Sequence, residues 1–190
     1  MLHNSVPGYM PDLPTSRLLL RRLTLHDAAD IFAYSRDPEV AQHVLWDAHR
    51  TIGESRAYIR YMLRKYRMVE PASWGIEWTA NGKIIGTIGF MWIQDDNRAA
   101  EVGYSLSRKY WGNGIMTEAL EAVLDYGFNT LRLNRIEAVH ELTNPASGAV
   151  MRKCGMIREG TLREKLFNKG QYVDVDLYAI LRKDFALRSR

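Results

Sequence analysis

A short stretch with two glycines, residues 109–117, constrains this chain more than any other part of its sequence. Gly112 and Gly114 are separated by one residue, and residues 99–106 before them have the character of a strand. After them, apolar residues recur at the spacing of one helix face, at Leu120, Val123, Leu124, Gly127, Phe128 and Leu131. The sequence therefore predicts a strand, a glycine loop and the start of a helix, in that order.

A loop of this kind suits a ligand that carries phosphate groups. The first N–H groups of a helix have no partner inside the helix, and the helix dipole adds partial positive charge there. Glycine lets the backbone adopt a positive φ and come close to a ligand without a Cβ in the way. A diphosphate is the expected ligand. A plain turn that binds no ligand is the alternative, because such turns use the same glycines. The stretch matches neither the P-loop pattern nor the dinucleotide-binding GxGxxG pattern.

The loop resembles the acyl-coenzyme A loop of the GNAT acetyltransferase superfamily, whose pattern is [QR]-x-x-G-x-[GA]. Lys109, Gly112 and Gly114 occupy the patterned positions, with Lys109 in place of the usual Gln or Arg. The sequence of residues 110–120 is similar to that of the RimJ/RimL branch, the ribosomal-protein N-terminal acetyltransferases. The similarity extends from about residue 15 to about residue 184. The resemblance implies a GNAT fold of class α/β (α+β). It would have a mixed, mostly antiparallel sheet of six to seven strands, about four helices on both faces and a splayed central parallel pair.

The same resemblance implies that acetyl-CoA is the cofactor and indicates which residues would bind it. The backbone N–H groups of residues 104–106, a segment that is often bulged in the family, would meet the acyl oxygen. The expected cofactor-binding residues are Tyr104, Leu106, Lys109, Trp111, Gly112, Asn113, Gly114, Ile115, Met116, Thr117, Asn144, Ser147 and Lys153.

Acetyl transfer to an amine needs a base, and Glu101 is the candidate. It lies about eight residues before the loop, on the strand that leads into it. Many members of the family have a Glu at or near this place that acts as base, commonly through water. An α-amine, with a pKa of about 7.7–8.0, needs only a modest base, whereas a lysine amine near 10.4 needs much more help. A Glu that only orients the substrate or pairs with an arginine is the alternative.

The departing thiolate must also be protonated, and here the sequence departs from the family pattern N-x-x-[AS]-x-x-x-Y-x-x-x-G. Asn144, Ser147 and Gly155 match it, but Met151 stands where a proton-donating Tyr is usual. In the RimL-like branch a Ser at the place of Ser147 is the group proposed near the sulfur, so Ser147 is the second catalytic candidate. A serine satisfied within its own helix is the alternative. Cys154 is expected to pack in the core.

Further carboxylates lie in the last hairpin. The RimL-like branch has one at the place of Leu166, and Glu164 lies two residues away on the same predicted strand face. Asp174 and Asp176 also share a face and are candidates for binding a cationic amine, although surface carboxylates on strands are common.

Composition and spacing bound the remaining possibilities. At 190 residues one domain is expected, and the resemblance implies an acetyltransferase domain over 15–184, with an extended arm over 1–14 and a tail over 185–190. The five His and single Cys show no metal-ligand spacing, so we predict no metal. The absence of a long apolar run or a signal sequence predicts a cytoplasmic protein with no membrane partner.

The order of elements is also predicted locally. Residues 16–23 are expected to form the first strand, and Thr51 with Glu54 forms a capping box for a helix to about residue 69. Asn81-Gly82 predicts a hairpin between strands at 73–79 and 83–93. A strand at 135–140 should run parallel to 99–106. Asn144-Pro145 then opens a helix to Cys154, and the last hairpin turns at residues 168–170.

The functional hypothesis is an acetyl-CoA-dependent N-acetyltransferase that acts on the N-terminal amine of a protein, a ribosomal protein first. Small amines such as a polyamine or an aminoglycoside are alternative acceptors. A non-catalytic acyl-CoA-binding module and a basic nucleic-acid-binding domain are alternative classes. The net charge of +4 and an arginine stripe at residues 56, 60, 64 and 67 suit a solvated face or proximity to the ribosome, without direct nucleic-acid readout. We expect a monomer or a homodimer.

Overall fold

The computed structural model describes residues 10–188. An eight-stranded sheet with the order β1-β2-β3-β4-β5-β6-β8-β7 lies at the centre of this part of the chain. The strands are β1 (Leu13–Pro14), β2 (Leu18–Arg21), β3 (Ser73–Trp78), β4 (Lys83–Gln94), β5 (Ala99–Leu106), β6 (Arg135–Glu141), β7 (Ile157–Asn168) and β8 (Gln171–Leu181). The helices are α1 (Ala28–Ser35), α2 (Pro38–Ala41), α3 (Ile52–Met68), α4 (Ile115–Asp125), α5 (Pro145–Lys153) and α6 (Arg182–Arg188).

The predicted class of a mixed, mostly antiparallel sheet is confirmed, but the strand count of six to seven is wrong by one strand. The additional strand is β1, which pairs with β2 and lies inside the stretch expected to be an extended arm. Met10 is already buried, while the arm's residues 1–9 lie outside the described part of the chain. At the other end, residues 185–188 of the predicted tail form the second half of α6.

The sheet opens between β5 and β6. These strands run parallel and pair from Ala99–Arg135 to Glu101–Glu137. Beyond Glu101, β5 continues to Leu106 beside β4, and β6 continues to Glu141 beside β8. The predicted splayed parallel pair is therefore present, and Glu101 lies where the two strands part.

Helices cover both faces of the sheet. Two successive residues of β3 illustrate this, since successive side chains of a strand point to opposite faces. On one face, the Tyr66 hydroxyl of α3 donates to the Ser73 carbonyl at 2.5 Å. On the other face, the next residue, Trp74, packs edge-on against Tyr126 at the end of α4, with ring centroids 5.6 Å apart. Both tyrosines and Trp74 belong to the buried core.

Local sequence signals predicted the ends of several elements. The Thr51–Glu54 capping box opens α3, and Gly82 in the β3–β4 turn has a φ of +68°. α3 buries Ile59, Met62 and Tyr66, while its arginine stripe is exposed, as expected for a solvated face. Within residues 10–188, we find no helix that combines the length and the apolar character needed to cross a bilayer.

Candidate active site

The glycine loop presents open main chain at the start of α4. Gly112 and Gly114 have φ of +75° and +72°, and Gly114 is the residue that precedes the helix. A Cβ on Gly112 would have no protein atom within 4 Å. Ile115 and Met116 are 1% and 5% exposed, so their side chains belong to the core and only their N–H groups are available to a ligand. Thr117 is half-buried.

A brace from the connection between β1 and β2 holds this loop. The Glu118 carboxylate, in the first turn of α4, accepts hydrogen bonds from the Thr15 hydroxyl at 2.6 Å, the Arg17 N–H at 2.8 Å and Arg17 Nε at 2.7 Å. The Arg17 guanidinium also donates to the Asn113 carbonyl at 3.1 Å. Burial acts to raise the pKa of Glu118, but the hydrogen bonds from Thr15 and Arg17 outweigh it and hold the pKa below its usual range. Our sequence reasoning missed this brace, since about a hundred residues separate its partners.

We expect Glu118→Ala to lower the free energy of unfolding by about 1–3 kcal/mol, because several donors lose a charged acceptor. Denaturant unfolding of the purified protein measures this change. Glu121→Ala is the matched control, since Glu121 lies on the same helix, is half-exposed and pairs only peripherally with Arg188 at 3.2 Å. Its loss should cost less than about 1 kcal/mol. Equal losses in the two variants would contradict the brace.

The other side of the loop is tied back to the end of β5. Trp111 donates its indole N–H to the Leu106 carbonyl at 2.8 Å, and the Asn113 amide donates to the Trp111 carbonyl at 3.0 Å. Lys109 is exposed on the turn between β5 and the glycines. The loop is therefore held at both ends while its glycines stay open and a lysine lies beside them.

The edge of β5 that faces the opening presents N–H groups. Ser107, just past β5, donates its N–H to the Ile85 carbonyl on the β4 side at 2.8 Å. Because successive N–H groups of an antiparallel strand point to opposite sides, those of Tyr104 and Leu106 point away from β4, into the opening. They are placed where a ligand inserted between β5 and β6 would meet them.

The bulge expected near residues 104–106 is elsewhere. These residues keep a regular register with β4, and the register shift lies on β4 between Phe90 and Trp92. The extra residue there, Met91, packs over Gly103, where a Cβ would lie 2.9 Å from the Met91 sulfur. Glycine at position 103 thus leaves room for the bulged strand, and the shift sets Trp92 opposite Glu101.

Glu101 is a half-buried carboxylate at the point where the sheet opens. Trp92 donates its indole N–H to Glu101 Oε2 at 3.1 Å, a partner that sequence reasoning missed. Burial raises the pKa of Glu101; the Trp92 hydrogen bond lowers it, Glu137 raises it further and Lys165 lowers it. Within residues 10–188 no cation forms an ion pair with Glu101, so the carboxylate is available as a proton acceptor.

The first turn of α5 lies on the same opening. Asn144 caps the helix as predicted, and its Oδ1 accepts the Ser147 N–H at 3.3 Å. The Tyr104 hydroxyl lies 3.0 Å from Ser147 Oγ and 3.1 Å from the Ser147 carbonyl oxygen. Met151, at the position where the family usually has Tyr, is buried in the core. A phenol therefore does approach the predicted serine, but from β5 rather than from α5.

The far end of α5 meets the first turn of α4. Cys154 is fully buried and its thiol donates to the Thr117 carbonyl at 3.5 Å, so the prediction of a packing cysteine is confirmed. Burial raises the pKa of the Cys154 thiol to about 12. The contact places exposed Lys153 at the end of the helix that adjoins the glycine loop.

This arrangement can be compared with known proteins. The family profile described as "Acetyltransferase (GNAT) domain" matches residues 17–157. The chain belongs to the GNAT acetyltransferase family. It is 35% identical to the uncharacterized N-acetyltransferase YoaA of Bacillus subtilis, over 90% of this chain and 97% of that one. A GNAT-family acetyltransferase from Bacillus anthracis has a similar structure, with a TM-score of 0.81 and 26% identity over 91% of this chain and 99% of that one.

Relatives with named acceptors match this acetyltransferase over shorter segments. The ribosomal-protein-serine acetyltransferase of Escherichia coli is 36% identical over 51% of this chain and 54% of its own length. The spermidine N(1)-acetyltransferase of Vibrio cholerae is 30% identical over 58% of this chain and 64% of its own length. The two names describe different acceptors.

Acetyltransferases of this family take the acetyl group from acetyl-CoA, which is the donor for this enzyme. Two features of the structure fit that molecule. The glycines at the start of α4 leave main-chain N–H groups open to a diphosphate. The N–H groups of Tyr104 and Leu106 face the gap between the parted strands, where an extended chain can lie.

The carboxylates of the last hairpin are arranged differently from the prediction. β7 is bulged between Leu162 and Leu166, and Glu164 has a φ of +51°. The expectation that Glu164 and Leu166 share a regular strand face is therefore wrong, because the alternation breaks at the bulge. Asp176 is bound by Arg158 at 2.7 Å, and Asp174 accepts the Glu164 N–H at 2.8 Å.

Proposed function

We propose that this acetyltransferase transfers the acetyl group of acetyl-CoA to the N-terminal α-amine of a protein in the cytoplasm, with a ribosomal protein as the first candidate. The observation that carries the proposal is Glu101, a half-buried carboxylate without an ion-pair partner in the described chain, at the point where the strands part. A carboxylate is a weak base, even where burial raises its pKa as it does for Glu101. At neutral pH roughly a tenth to a fifth of an α-amine is already unprotonated, so a weak base is sufficient.

The residues around the opening have separate tasks in this proposal. Acetyl-CoA supplies an activated thioester. The N–H groups at Gly112–Ile115, with Lys109 and Lys153 nearby, hold its diphosphate. The N–H groups of Tyr104 and Leu106 hold the extended arm and stabilise the charge that gathers on the acyl oxygen. Asn144 shapes the opposite wall by fixing the start of α5.

Glu101 receives the proton of the attacking amine, directly or through one water molecule. A carbon–nitrogen bond forms, the carbon–sulfur bond breaks, one proton leaves nitrogen for Glu101, and the thiolate takes up a proton from solvent. Trp92 fixes the carboxylate by donating to Oε2, which leaves Oε1 free to accept. Glu101 is the proposed base, and Ser147, beside the opening in the first turn of α5, is the second proposed catalytic side chain.

The pairing of the nearby carboxylates favours an acceptor with one cationic group over a polyamine. Glu137 is bound by Arg135 at 2.8 Å, and Glu141 is bound by His43 at 2.9 Å. Asp176 is bound by Arg158. A polyamine needs several unpaired carboxylates. At the point where the strands part, Glu101 has no ion pair among residues 10–188, while Asp174 on β8, which also has none, is occupied by the Glu164 N–H. The resemblance to a spermidine acetyltransferase keeps that acceptor as the second candidate.

A thiol-release assay tests the acceptor. Peptides that begin with Ser or Ala are compared with the same peptides blocked at the α-amine, with a peptide whose only amine is lysine, and with spermidine and an aminoglycoside. We expect turnover with the free α-amine peptides and loss of turnover on blocking. Turnover restricted to spermidine or the aminoglycoside would replace the protein acceptor with a small amine. A lack of thiol release with every amine would overturn the proposed activity.

A further inference from the structure

Two hydroxyl groups meet across the opening between β5 and β6. Tyr104 comes from β5 and Ser147 from the first turn of α5, and their oxygens lie 3.0 Å apart. The Tyr104 hydroxyl also lies 3.1 Å from the Ser147 carbonyl oxygen. The phenol therefore contacts Ser147 twice, through main chain and side chain.

The main chain of this turn is held from the other side by β6. Gly148 lies so close to His140 that a Cβ there would be 2.5 Å from His140 Nε2. The His140 ring is itself fixed, because its Nδ1 bonds the Glu141 carbonyl at 2.8 Å. The turn is thus wedged between His140 and Tyr104. With its backbone held, the remaining freedom of Ser147 is the rotation of its side chain and hydroxyl.

We propose that Tyr104 is a positioning residue that orients the Ser147 hydroxyl, so that Ser147 donates a hydrogen bond to the sulfur of coenzyme A as the thiolate leaves. This inference rests on the proposed function. The phenol has one hydrogen, which the Ser147 carbonyl oxygen and Oγ can share in a three-centre hydrogen bond. In this arrangement Oγ accepts from the phenol, so the serine's own hydrogen is left to be donated to the sulfur. A hydroxyl oriented in advance stabilises developing charge without reorganisation during the reaction.

The phenol orients and does not serve as the proton source. Burial raises the pKa of Tyr104, with the Ser147 hydrogen bond acting in the opposite direction. A partly buried phenol whose pKa is raised holds its proton more tightly than a thiol, whose ordinary pKa is about 8.5. Tyr104 therefore remains a neutral donor throughout. Its placement on β5 supplies a phenol near Ser147 although Met151 stands at the usual tyrosine position of α5.

A double-mutant cycle tests whether Tyr104 acts through Ser147. We expect Tyr104→Phe and Ser147→Ala each to lower kcat by roughly tenfold, the loss of one well-placed hydrogen bond, while the Kd for coenzyme A changes less than about twofold. In the double variant, Tyr104→Phe should add nothing to Ser147→Ala. Tyr178→Phe is the matched control, since Tyr178 also has a hydrogen-bonded phenol, which is buried and lies 2.9 Å from Arg152, and this variant should keep wild-type kcat. Multiplicative effects in the double variant, or unchanged kcat in Tyr104→Phe, would overturn the inference.

A second measurement needs no amine acceptor, so its outcome is separable from that of the proposed function. The thiol of bound coenzyme A is titrated by its thiolate absorbance, with the desulfo-coenzyme A complex as reference to cancel tyrosine ionisation. Cys154 does not interfere at moderate pH, because burial raises its pKa to about 12. We expect the pKa of the bound thiol to rise in Tyr104→Phe and Ser147→Ala and to stay at the wild-type value in Tyr178→Phe. The same pKa in all variants would overturn the inference, whatever acceptor the enzyme uses.

Discussion

Glu101→Gln is expected to lower kcat with an α-amine acceptor by roughly a hundredfold or more, because general-base catalysis typically contributes a factor of about 10² to 10⁴. The Kd for acetyl-CoA should stay close to the wild-type value, since glutamine keeps the shape of the side chain and can still accept from Trp92. Steady-state kinetics and calorimetric binding measure the two effects. Wild-type turnover in Glu101→Gln would exclude Glu101 as the base.

The pH profile gives this variant a second readout. The ionised carboxylate is the active form, so the rate falls as pH drops through the pKa of Glu101. Since burial raises that pKa, the acid limb should lie above the ordinary glutamate range and should disappear in Glu101→Gln.

Glu137→Gln is the matched control for this profile. Glu137 faces Glu101 across the parallel pair, and its charge raises the pKa of Glu101. Removing that charge should move the acid limb to lower pH while the base remains in place. An acid limb that stays in Glu101→Gln but moves in Glu137→Gln would indicate a different titrating group.

Gly112→Val is expected to weaken acetyl-CoA binding by roughly a hundredfold, about 2.7 kcal/mol. A Cβ at this position meets no protein atom, so it projects into open space, which acetyl-CoA would use under the proposed function. Valine also disfavours the φ of +75°, and a change in φ turns the loop N–H groups away from a diphosphate. Calorimetry measures the Kd. The rise in melting temperature that acetyl-CoA causes should also be smaller in the variant, because a ligand that binds the folded state stabilises it more when it binds more tightly.

Gly82→Val is the control that separates the effect of backbone strain on stability from the effect on acetyl-CoA binding. Gly82 has a similar φ of +68°, and a Cβ there also meets nothing within 4 Å, but it lies in the β3–β4 turn. Both variants should lose comparable stability, on the order of 1–2 kcal/mol for the left-handed conformation. Only Gly112→Val should lose binding. If both variants keep the wild-type Kd, the glycine loop does not hold the ligand.

Much of the fold could be read from short stretches of sequence because their signals act locally. The capping box at Thr51, the Asn81-Gly82 turn and the Asn144 cap each depend on residues within a few positions of one another. The glycine loop is of the same kind, since positive φ before a helix is a property of two glycines and their neighbours. The parallel pair followed from two strands joined through one helix.

The bulges in β4 and β7 could not be predicted in this way. A bulge depends on how a neighbouring strand packs, and each one changes which residues share a face. On β4 the bulge brings Trp92 opposite Glu101. On β7 the bulge breaks the alternation of side chains, so Glu164 and Leu166 do not share the regular strand face that their spacing predicts. The roles of these carboxylates therefore depended on packing that no local pattern records.

The sequence by itself determined the family resemblance, the glycine loop, the order of elements from β2 to β8 and the candidates Glu101 and Ser147. The loop and the elements follow from local patterns along the chain, and the two candidates follow from the resemblance that those patterns carry. Only the tertiary structure decided what surrounds them: the Glu118 brace, the Trp92 hydrogen bond and the meeting of Tyr104 with Ser147. Each of these contacts joins elements brought together by sheet pairing and core burial, so its energy depends on distance in space and leaves no periodic trace in the sequence.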